Sequence, residues 1–385
     1  MKVLADNQVT LLRNGAEFFP ALLDAIDSAR EEVWLETYIF AEDAVGAAVA
    51  GALKRAAARG AKVRLLIDGF GSRELPDAFL ASLAEASVAV QRFRPHRGWL
   101  PIRRSRFRRL HRKIALVDGR VAFVGGINII DDHSGHDTGE PRYDYAVRVE
   151  GPLVDEITPV VHRLWWLVAA LRGHPRRPGF QPQAARAGPA GGMRAAFVHR
   201  DNFRQRHAIE HLYLDSIRGA QREILVACAY FMPGLRVRQA LIEAARRGVR
   251  VAIVVQGWSD HRVFQQASRL LYGALLDTGI EIHEYVRSEL HAKVAVVDGR
   301  WSTVGSSNLD PFSLLLAREA NVAVFDEGFG RQLRQSILAE LGSGARRVPP
   351  TVWRRRSMLS RLAGWLAYGY ARLAMGVAGI AQDWS

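Results

Sequence analysis

"LHRKIALVDGRVAFVGGINI" (Leu110–Ile129) and "LHAKVAVVDGRWSTVGSSNL" (Leu290–Leu309) lie 180 residues apart and read almost alike. Each gives His-x-Lys, four apolar residues, Asp-Gly, a second apolar run, and a small-residue turn that ends in Asn. On a strand, residues two apart share a face, so each copy aims an imidazole and an ammonium at one spot: His111 with Lys113, and His291 with Lys293. The apolar runs predict buried strands. Asp118-Gly119 and Asp298-Gly299 predict hairpin turns that send each chain back toward Asn128 or Asn308.

The repetition extends outward from these phrases. "LLDAIDSAREEVWLETYIF" (Leu22–Phe40) matches "LYLDSIRGAQREILVACAYF" (Leu212–Phe231). "ALKRAAARGAKVRLLIDGFGS" matches "ALIEAARRGVRVAIVVQGWSD". Each pair reads as an amphipathic helix running into an apolar, β-rich strand, with a glycine break at Gly60 or Gly248. Strand, helix, strand in succession predicts parallel pairing and an α/β fold. The expected architecture is two similar α-β-α sandwich lobes related by a quasi-twofold axis, with the two phrases meeting at the lobe interface. The Pro-, Gly- and Ala-rich stretch Gly173–Gly192 reads as a linker. This divides the chain into a first lobe (1–172), a linker (173–192), a second lobe (193–345) and a basic tail (346–385).

Composition narrows the class. Hydrophobic residues make up 49% and charged residues 24%, which excludes a disordered chain. The net charge of +14 favours anionic partners, either nucleic acid or an anionic lipid surface. The single cysteine, Cys228, sits in an apolar strand and reads as a small core residue. The N-terminal "MKVLADNQVTLLRNG" has no apolar run of signal-peptide length.

Two histidines, two lysines and two asparagines brought together make a phosphate site with a nucleophile and an acid, and it needs no metal ion or other cofactor. The lysines offset the charge of a phosphoryl transition state. One neutral imidazole attacks phosphorus, and the other, protonated, supplies a proton to the leaving alcohol. Small residues at Gly125, Gly126, Gly305 and Ser306 are read as room for a ligand beside the backbone.

In both copies the pattern H-x-K-x-x-x-x-D followed by G-G/S-x-N resembles the phospholipase D superfamily: His111, Lys113, Asp118, Gly125, Gly126 and Asn128, then His291, Lys293, Asp298, Gly305, Ser306 and Asn308. The likeness runs to about Phe325. Stretches such as "YDYAVRVEGPLV", "VHRDN", "AYFMPG" and "TVGSSNLDPFSLLLAREANV" are similar to bacterial cardiolipin synthases, nearest their B form, which lacks an N-terminal membrane hairpin. The resemblance implies transfer of a phosphatidyl group from one phosphatidylglycerol to the hydroxyl of another, through a phosphohistidine, with glycerol released. It leaves phosphatidylethanolamine as donor, and other alcohols as acceptors, open. It implies that one histidine is the nucleophile and the other the acid and then base; His111 is assigned the first role and His291 the second, and the symmetry of the pair leaves the reverse open. Lys113 and Lys293 hold phosphate oxygens, and Asn128, Asn308, Gly126 and Ser306 complete the substrate cradle. It also implies an acid roughly 25 to 33 positions downstream of each histidine that fixes its tautomer, which points to Asp144 and Glu319. Asp118 and Asp298, though part of the catalytic motif, then read as turn-stabilising. The implied partners are anionic phospholipids and a membrane surface, with neither nucleic acid nor an obligate protein partner expected. The implied location is the cytoplasmic face of a bacterial membrane, held peripherally.

Other motifs compete for a reading. "HAIEH" (His207–His211) has zinc-protease spacing but falls at the start of a repeated helix, and no metal site is expected there. "DDHSGHD" (Asp131–Asp137) suits a loop at the site mouth. "RRSRFRRLHR", with Arg103, Arg104, Arg106, Arg108, Arg109 and Arg112, predicts a cationic surface beside the first phrase. Trp165-Trp166 predicts helix core. The tail Arg354–Ala381 predicts an amphipathic helix, with Leu359, Leu362, Leu366, Leu373 and Val377 along one side, lying in a membrane interface or on the protein's own surface. A superfamily nuclease or phosphodiesterase, and a catalytically inert lipid-binding module, are the rival functions.

Overall fold

The structure, a computed structural model, describes residues 1–94, 108–133, 139–173, 187–201, 205–258, 262–355, 357–358, 362, 364–370 and 373. Most of the predicted linker, and Arg103, Arg104, Arg106, Leu359 and Val377, lie outside the described residues.

The first half runs β1 (Leu4–Arg13), α1 (Asn14–Ser28), β2 (Glu32–Thr37), α2 (Ala44–Ala58), β3 (Lys62–Asp68), α3 (Asp77–Glu85), β4 (Ala89–Phe93), β5 (Lys113–Val117), β6 (Val121–Gly125), β7 (Tyr145–Glu150), α4 (Leu153–Leu171). The second half repeats it: β8 (Met193–Arg200), α5 (Ala208–Gly219), β9 (Glu223–Cys228), α6 (Leu235–Arg246), β10 (Arg250–Gln256), α7 (Arg262–Leu270), α8 (Tyr272–Leu276), β11 (Glu281–Tyr285), β12 (Lys293–Val297), β13 (Trp301–Gly305), α9 (Pro311–Leu315), β14 (Glu319–Phe325), α10 (Glu327–Ser343). A short β15 (Ala345–Arg347) and α11 (Pro350–Arg354) follow.

Strand order confirms the duplication. It reads β1-β7-β6-β5-β2-β3-β4 in one direction from the centre and β8-β14-β13-β12-β9-β10-β11 in the other, with β15 added at the second edge. As the strand-helix-strand pattern predicts, β2, β3 and β4 are parallel, and so are β9, β10 and β11. The His-Lys strands β5 and β12 join them antiparallel. Gly60 (φ +93) and Gly248 (φ +87) end α2 and α6 at matching places, where a left-handed turn favours glycine.

The two half-sheets meet edge to edge through a short, irregular β1–β8 pairing, Leu4 with Ala195 and Asn7 with Met193. Beyond this seam they lie face to face, with β6 and β7 against β13 and β14. Three apolar clusters result. One packs α1 and α2 on the outer face of the first sheet, around Leu22, Ile26 and Leu53. Another packs α5 and α6 on the second, around Ile217, Val237 and Leu241. The third fills the middle with the inner faces of both sheets plus α4 and α10, including Trp165, Leu333 and Ile337. Each half is thus an α-β-α sandwich. The shared middle layer buries β5 and β12 completely, which gives the His-Lys strands a rigid base.

Candidate active site

β5 and β12 begin at one end of the middle layer, where the chain crosses between halves. The residue before each of the acids Asp144 and Glu319 accepts the backbone of the opposite phrase. The Arg318 carbonyl accepts from His111 N (3.0 Å) and Arg112 N (2.8 Å). The Tyr143 carbonyl accepts from His291 N (2.8 Å). The side chains repeat the exchange: His111 Nδ1 meets Glu319 Oε1 at 2.9 Å, and His291 Nδ1 meets Asp144 Oδ2 at 2.6 Å. The two acids are therefore those expected, but each serves the histidine of the other half, not the one upstream of it. A carboxylate at Nδ1 makes that nitrogen the donor and leaves Nε2 with its lone pair for attack. Both imidazoles are 17% exposed, enough to reach a ligand from an otherwise dry wall.

The lysines complete a single site. Lys113 Nζ donates to the His111 carbonyl (2.6 Å), and Lys293 Nζ donates to the His291 carbonyl. Burial lowers the pKa of both histidines, and each is pushed further by Lys113 and Lys293, while Glu319 opposes the shift at His111. Lys113 falls to about 7, chiefly through burial and then through Lys293. Lys293 is lowered by burial, against Asp144. Asp144 rises to about 6 through burial, with Lys293 the leading counterweight. Lys113 and Lys293 each act on both histidines, so the groups from the two halves lie close together. An anion bound there offsets two crowded ammonium groups.

The remaining motif residues contact the protein itself. Asp118 and Asp298 sit at the far ends of β5 and β12, on the order of 16 Å along the strand from the lysines. Asp118 accepts the backbone N–H groups of Arg30, Glu31 and Glu32, and Asp298 those of Gln221, Arg222 and Glu223. Both staple a helix-to-strand loop to the hairpin and touch no reacting group. Gly126 and Ser306 lie against the two orienting acids. A Cβ at Gly126 would meet the Asp144 carboxylate at 2.3 Å, and the buried Ser306 hydroxyl donates to Glu319 Oε2 at 2.5 Å. They support the two orienting acids. A Cβ at Gly125 would strike the backbone of Ala146, so the neighbouring strand, not a ligand, demands the small residue.

Asn128 and Asn308 lie at the site but face inward through their oxygens. Asn128 Oδ1 accepts from Ile39 N (3.1 Å) and Asn308 Oδ1 from Tyr230 N (3.4 Å). Thr37 and Cys228, at equivalent ends of β2 and β9, brace these same loops by bonding to the carbonyls of Ile39 (2.8 Å) and Tyr230 (3.2 Å). Cys228 thus does more than fill core.

The sequence reading overlooked Tyr38, whose ring centroid is 5.0 Å from that of His111 and 5.4 Å from Lys113 Nζ. Its place in the repeated "TYIF"/"AYF" strand ends was the available signal. Asp68 was also missed. Fully buried, it accepts from Leu110 N at 2.9 Å, as Gln256 accepts from Leu290 N in the other half.

The remaining motifs take structural places. His207 and Glu210 interact at the start of α5 (3.2 Å). Asp131 N donates to Asp43 at 2.8 Å, and Asp132 accepts from Gly15 N, tying down the first part of the mouth loop.

Comparison with known proteins agrees with this geometry. The family model "Cardiolipin synthase, PLD-like domain" matches residues 22–165 and 213–340. Cardiolipin synthase B of Salmonella typhi is 41% identical over 377 residues, covering 95% of this chain and 88% of that protein. Cardiolipin synthase B of Escherichia coli (strain K12) is 39% identical over 375 residues, with the same coverage. The crystal structure of phosphatidylserine synthase from Haemophilus influenzae Rd KW20 superposes over 100% of this chain and 97% of its own, at a TM-score of 0.71 and 13% identity. That likeness supports the fold alone. Two intact His-Lys phrases, crossed orienting acids and these relatives place the chain in the cardiolipin synthase family, built on phospholipase D-like domains.

Proposed function

We propose that the protein is a cardiolipin synthase that transfers a phosphatidyl group between two phosphatidylglycerol molecules. The observation that supports the reading is the pair of crossed carboxylate–imidazole contacts, which join each histidine to an acid of the other half through Nδ1 and leave its Nε2 for chemistry. The Nε2 lone pair of His111 attacks phosphorus, and the bond from phosphorus to the head-group glycerol oxygen breaks. His291, protonated, gives its proton to that oxygen and glycerol leaves. The hydroxyl of the second phosphatidylglycerol then attacks phosphorus, passing its proton to His291, and the P–N bond to His111 breaks. Lys113 and Lys293 neutralise the equatorial oxygens throughout. Burial keeps both imidazoles neutral until a phosphate arrives, which suits His111 as nucleophile; the incoming anion favours protonation of His291. Purified protein incubated with phosphatidylglycerol vesicles in EDTA should yield cardiolipin and free glycerol in equal amounts. DNA cleavage without lipid turnover would replace this reading with the nuclease, and binding of lipid with no turnover would leave a lipid-binding module.

The titrations set a pH window. Asp144 must be ionised to orient His291, so activity rises as pH passes about 6. Lys113 must be protonated, so activity falls as pH passes about 7. We expect a bell-shaped kcat/KM with limbs near those values, and a kcat whose alkaline limb lies higher because bound phosphate favours the ammonium. A Lys113→Arg variant keeps its charge at every accessible pH and should lose the alkaline limb. An unchanged limb would remove Lys113 from the account.

We further propose that the protein is held peripherally at the cytoplasmic face of a bacterial membrane. Among the described residues, no helix is long and apolar enough to cross one. The tail helix rests one side on the body: Gly364 comes against Leu270 and Gln266, and Ala367 and Tyr368 pack on the second outer cluster. The other side exposes Leu362, Trp365, Leu366, Tyr370 and Leu373, spaced to share one stripe. Self-packing and an interfacial role are therefore compatible, one on each side. Changing Leu362, Trp365, Leu366 and Leu373 together to serine should lower partitioning onto anionic liposomes by about tenfold or more. Cosedimentation equal to the unaltered protein would exclude this stripe as the anchor.

A further inference from the structure

The catalytic core is nearly symmetric, but its surroundings are not. At the ends of β3 and β4, beside His111, four guanidinium groups gather on two rings. Arg94 and Arg318 lie over Phe93 (5.6 and 5.9 Å from its centroid), and Arg73 and Arg109 lie over Phe70 (both 4.9 Å). Gly69 N donates to the Phe93 carbonyl (2.8 Å), so the two rings stand on adjoining strand ends. Arg318 N donates to the Arg109 carbonyl (2.8 Å), which ties the cluster to the backbone that carries His111.

Among the described residues, the carboxylates that act on Arg94 and Arg318 are Asp68, Asp201 and Glu36. Asp68 approaches Arg109 at 3.7 Å but already accepts the backbone of Phe70, Gly71 and Leu110. Glu36 is engaged by Arg112. Among the described residues, Arg108 Nε and Arg318 Nε are buried without a hydrogen-bond partner. Burial lowers the pKa of both Arg94 and Arg318; Arg108 and Arg109 lower that of Arg94 further, against Asp68, and Arg112 and Arg94 lower that of Arg318, against Asp201 and Glu36. Arg108, Arg109 and Arg318 are partly buried and Arg94 is exposed; crowded, partly buried guanidinium groups are costly unless an anion joins them, and their forked donors suit a phosphodiester.

The equivalent positions beside His291 provide an internal control. Register places Val286 where the first half has Arg94, Ser288 for Arg108, Glu289 for Arg109, and Tyr143 for Arg318. Among the described residues of that side, Arg142 and Arg287 each pair with a carboxylate. Tyr143 stacks on Tyr285 (5.3 Å), and Glu289 pairs with Arg142 (2.8 Å). A fold that keeps both His-Lys phrases intact, but stacks arginines on aromatic rings at one flank and pairs them with carboxylates at the other, has two different tasks at its two flanks.

We propose that Arg94, Arg108, Arg109 and Arg318 form a second phosphate subsite, which holds the phosphodiester of the acceptor phospholipid while the donor phosphate sits between the His-Lys pairs. The inference rests on the phosphatidyl-transfer reading. In that reaction one phosphate is captured by histidine, and the acceptor brings another, a glycerol's length from its attacking hydroxyl. Water or free glycerol as acceptor brings none. The cluster therefore selects an anionic lipid over a small neutral alcohol.

The test uses full-length protein, phosphatidylglycerol vesicles and labelled free glycerol. Cardiolipin formation reports the lipid acceptor, and entry of labelled glycerol into phosphatidylglycerol reports the neutral one. Both need the same donor capture. In Arg318→Gln, and separately in Arg94→Gln/Arg108→Gln, the ratio of cardiolipin to exchanged glycerol should fall about tenfold or more, with a raised KM for the lipid acceptor. An unchanged ratio, with both products lost together or both retained, would overturn the subsite; the second variant guards against a folding defect peculiar to Arg318. Phosphatidylglycerol left untouched by the unaltered protein, with DNA cleaved instead, would sink the transfer reading and the subsite with it. Normal lipid turnover with an unmoved ratio sinks the subsite alone.

Discussion

Replacing either His111 or His291 by alanine is expected to cut cardiolipin formation by roughly four orders of magnitude or more, and replacing both should cost little beyond either alone. The non-additivity follows from the site: nucleophile and proton carrier act on one phosphorus, so neither is useful without the other. The orienting acids refine the expectation. In Glu319→Gln the carboxamide can donate as well as accept, so it no longer demands Nδ1–H on His111, and the nucleophilic lone pair at Nε2 is lost in part of the population. A fall of roughly 10²–10⁴ is expected there, and in Asp144→Asn. The crossed pairing is separately visible by NMR titration of the rings. Glu319→Gln should move the pKa of His111 most, and Asp144→Asn that of His291. The reverse pattern would mean that each half orients its own histidine.

The second large effect concerns stability. Arg112 and Glu36, 1% and 2% exposed, make a two-point ion pair at 2.5 and 2.9 Å directly beneath the His111 strand, and Arg112 also reaches the Val160 carbonyl of α4 (3.2 Å). Arg112→Ala leaves the Glu36 charge buried alone, and is expected to cost about 3–5 kcal/mol, read as a shift in the denaturant midpoint. Converting both residues to apolar ones of similar volume, Glu36→Leu/Arg112→Met, should recover most of that loss and finish within about 1–2 kcal/mol of the starting protein. The molecule contains its own precedent, since the second half has Ala227 and Ala292 at these positions, both buried. A double variant as unstable as the single one would show that the charge pairing is not the source of the cost.

Much of this was readable before any coordinates. The repeated helix-strand pattern gave the α/β class and the duplication, because a buried strand must be apolar throughout and an outer helix apolar on one side. His-x-Lys gave the reactive groups through the two-residue period of a strand. Asp144 and Glu319 were identifiable too, but not their crossing. His111 and Glu319 are 208 residues apart, and His291 and Asp144 are 147 apart. No local periodicity reports which half-sheet folds over onto which. The motif aspartates belong with the turn and not with the histidine. A spacing that recurs with the histidine does not say that both residues reach the same end of the strand, and with five strand residues between them they cannot. Gly126 and Ser306 looked like ligand space because smallness is ambiguous: a carboxylate of the protein needs room as a phosphate would. The arginine flank at Phe70 and Phe93 was foreshadowed only as a basic run, since Arg94 and Arg318 come from distant segments.

The exchange of partners between halves also sets when the protein becomes competent during its own synthesis. As the chain emerges from the ribosome, His111 appears early, with its ammonium neighbour and its strand. It has no carboxylate to steady the ring until Glu319 is made. A polypeptide cut short anywhere before that point would carry a reactive-looking phrase that cannot yet be aimed. Chemistry on lipid therefore starts only when four-fifths of the molecule exists and the second sheet has closed over the first.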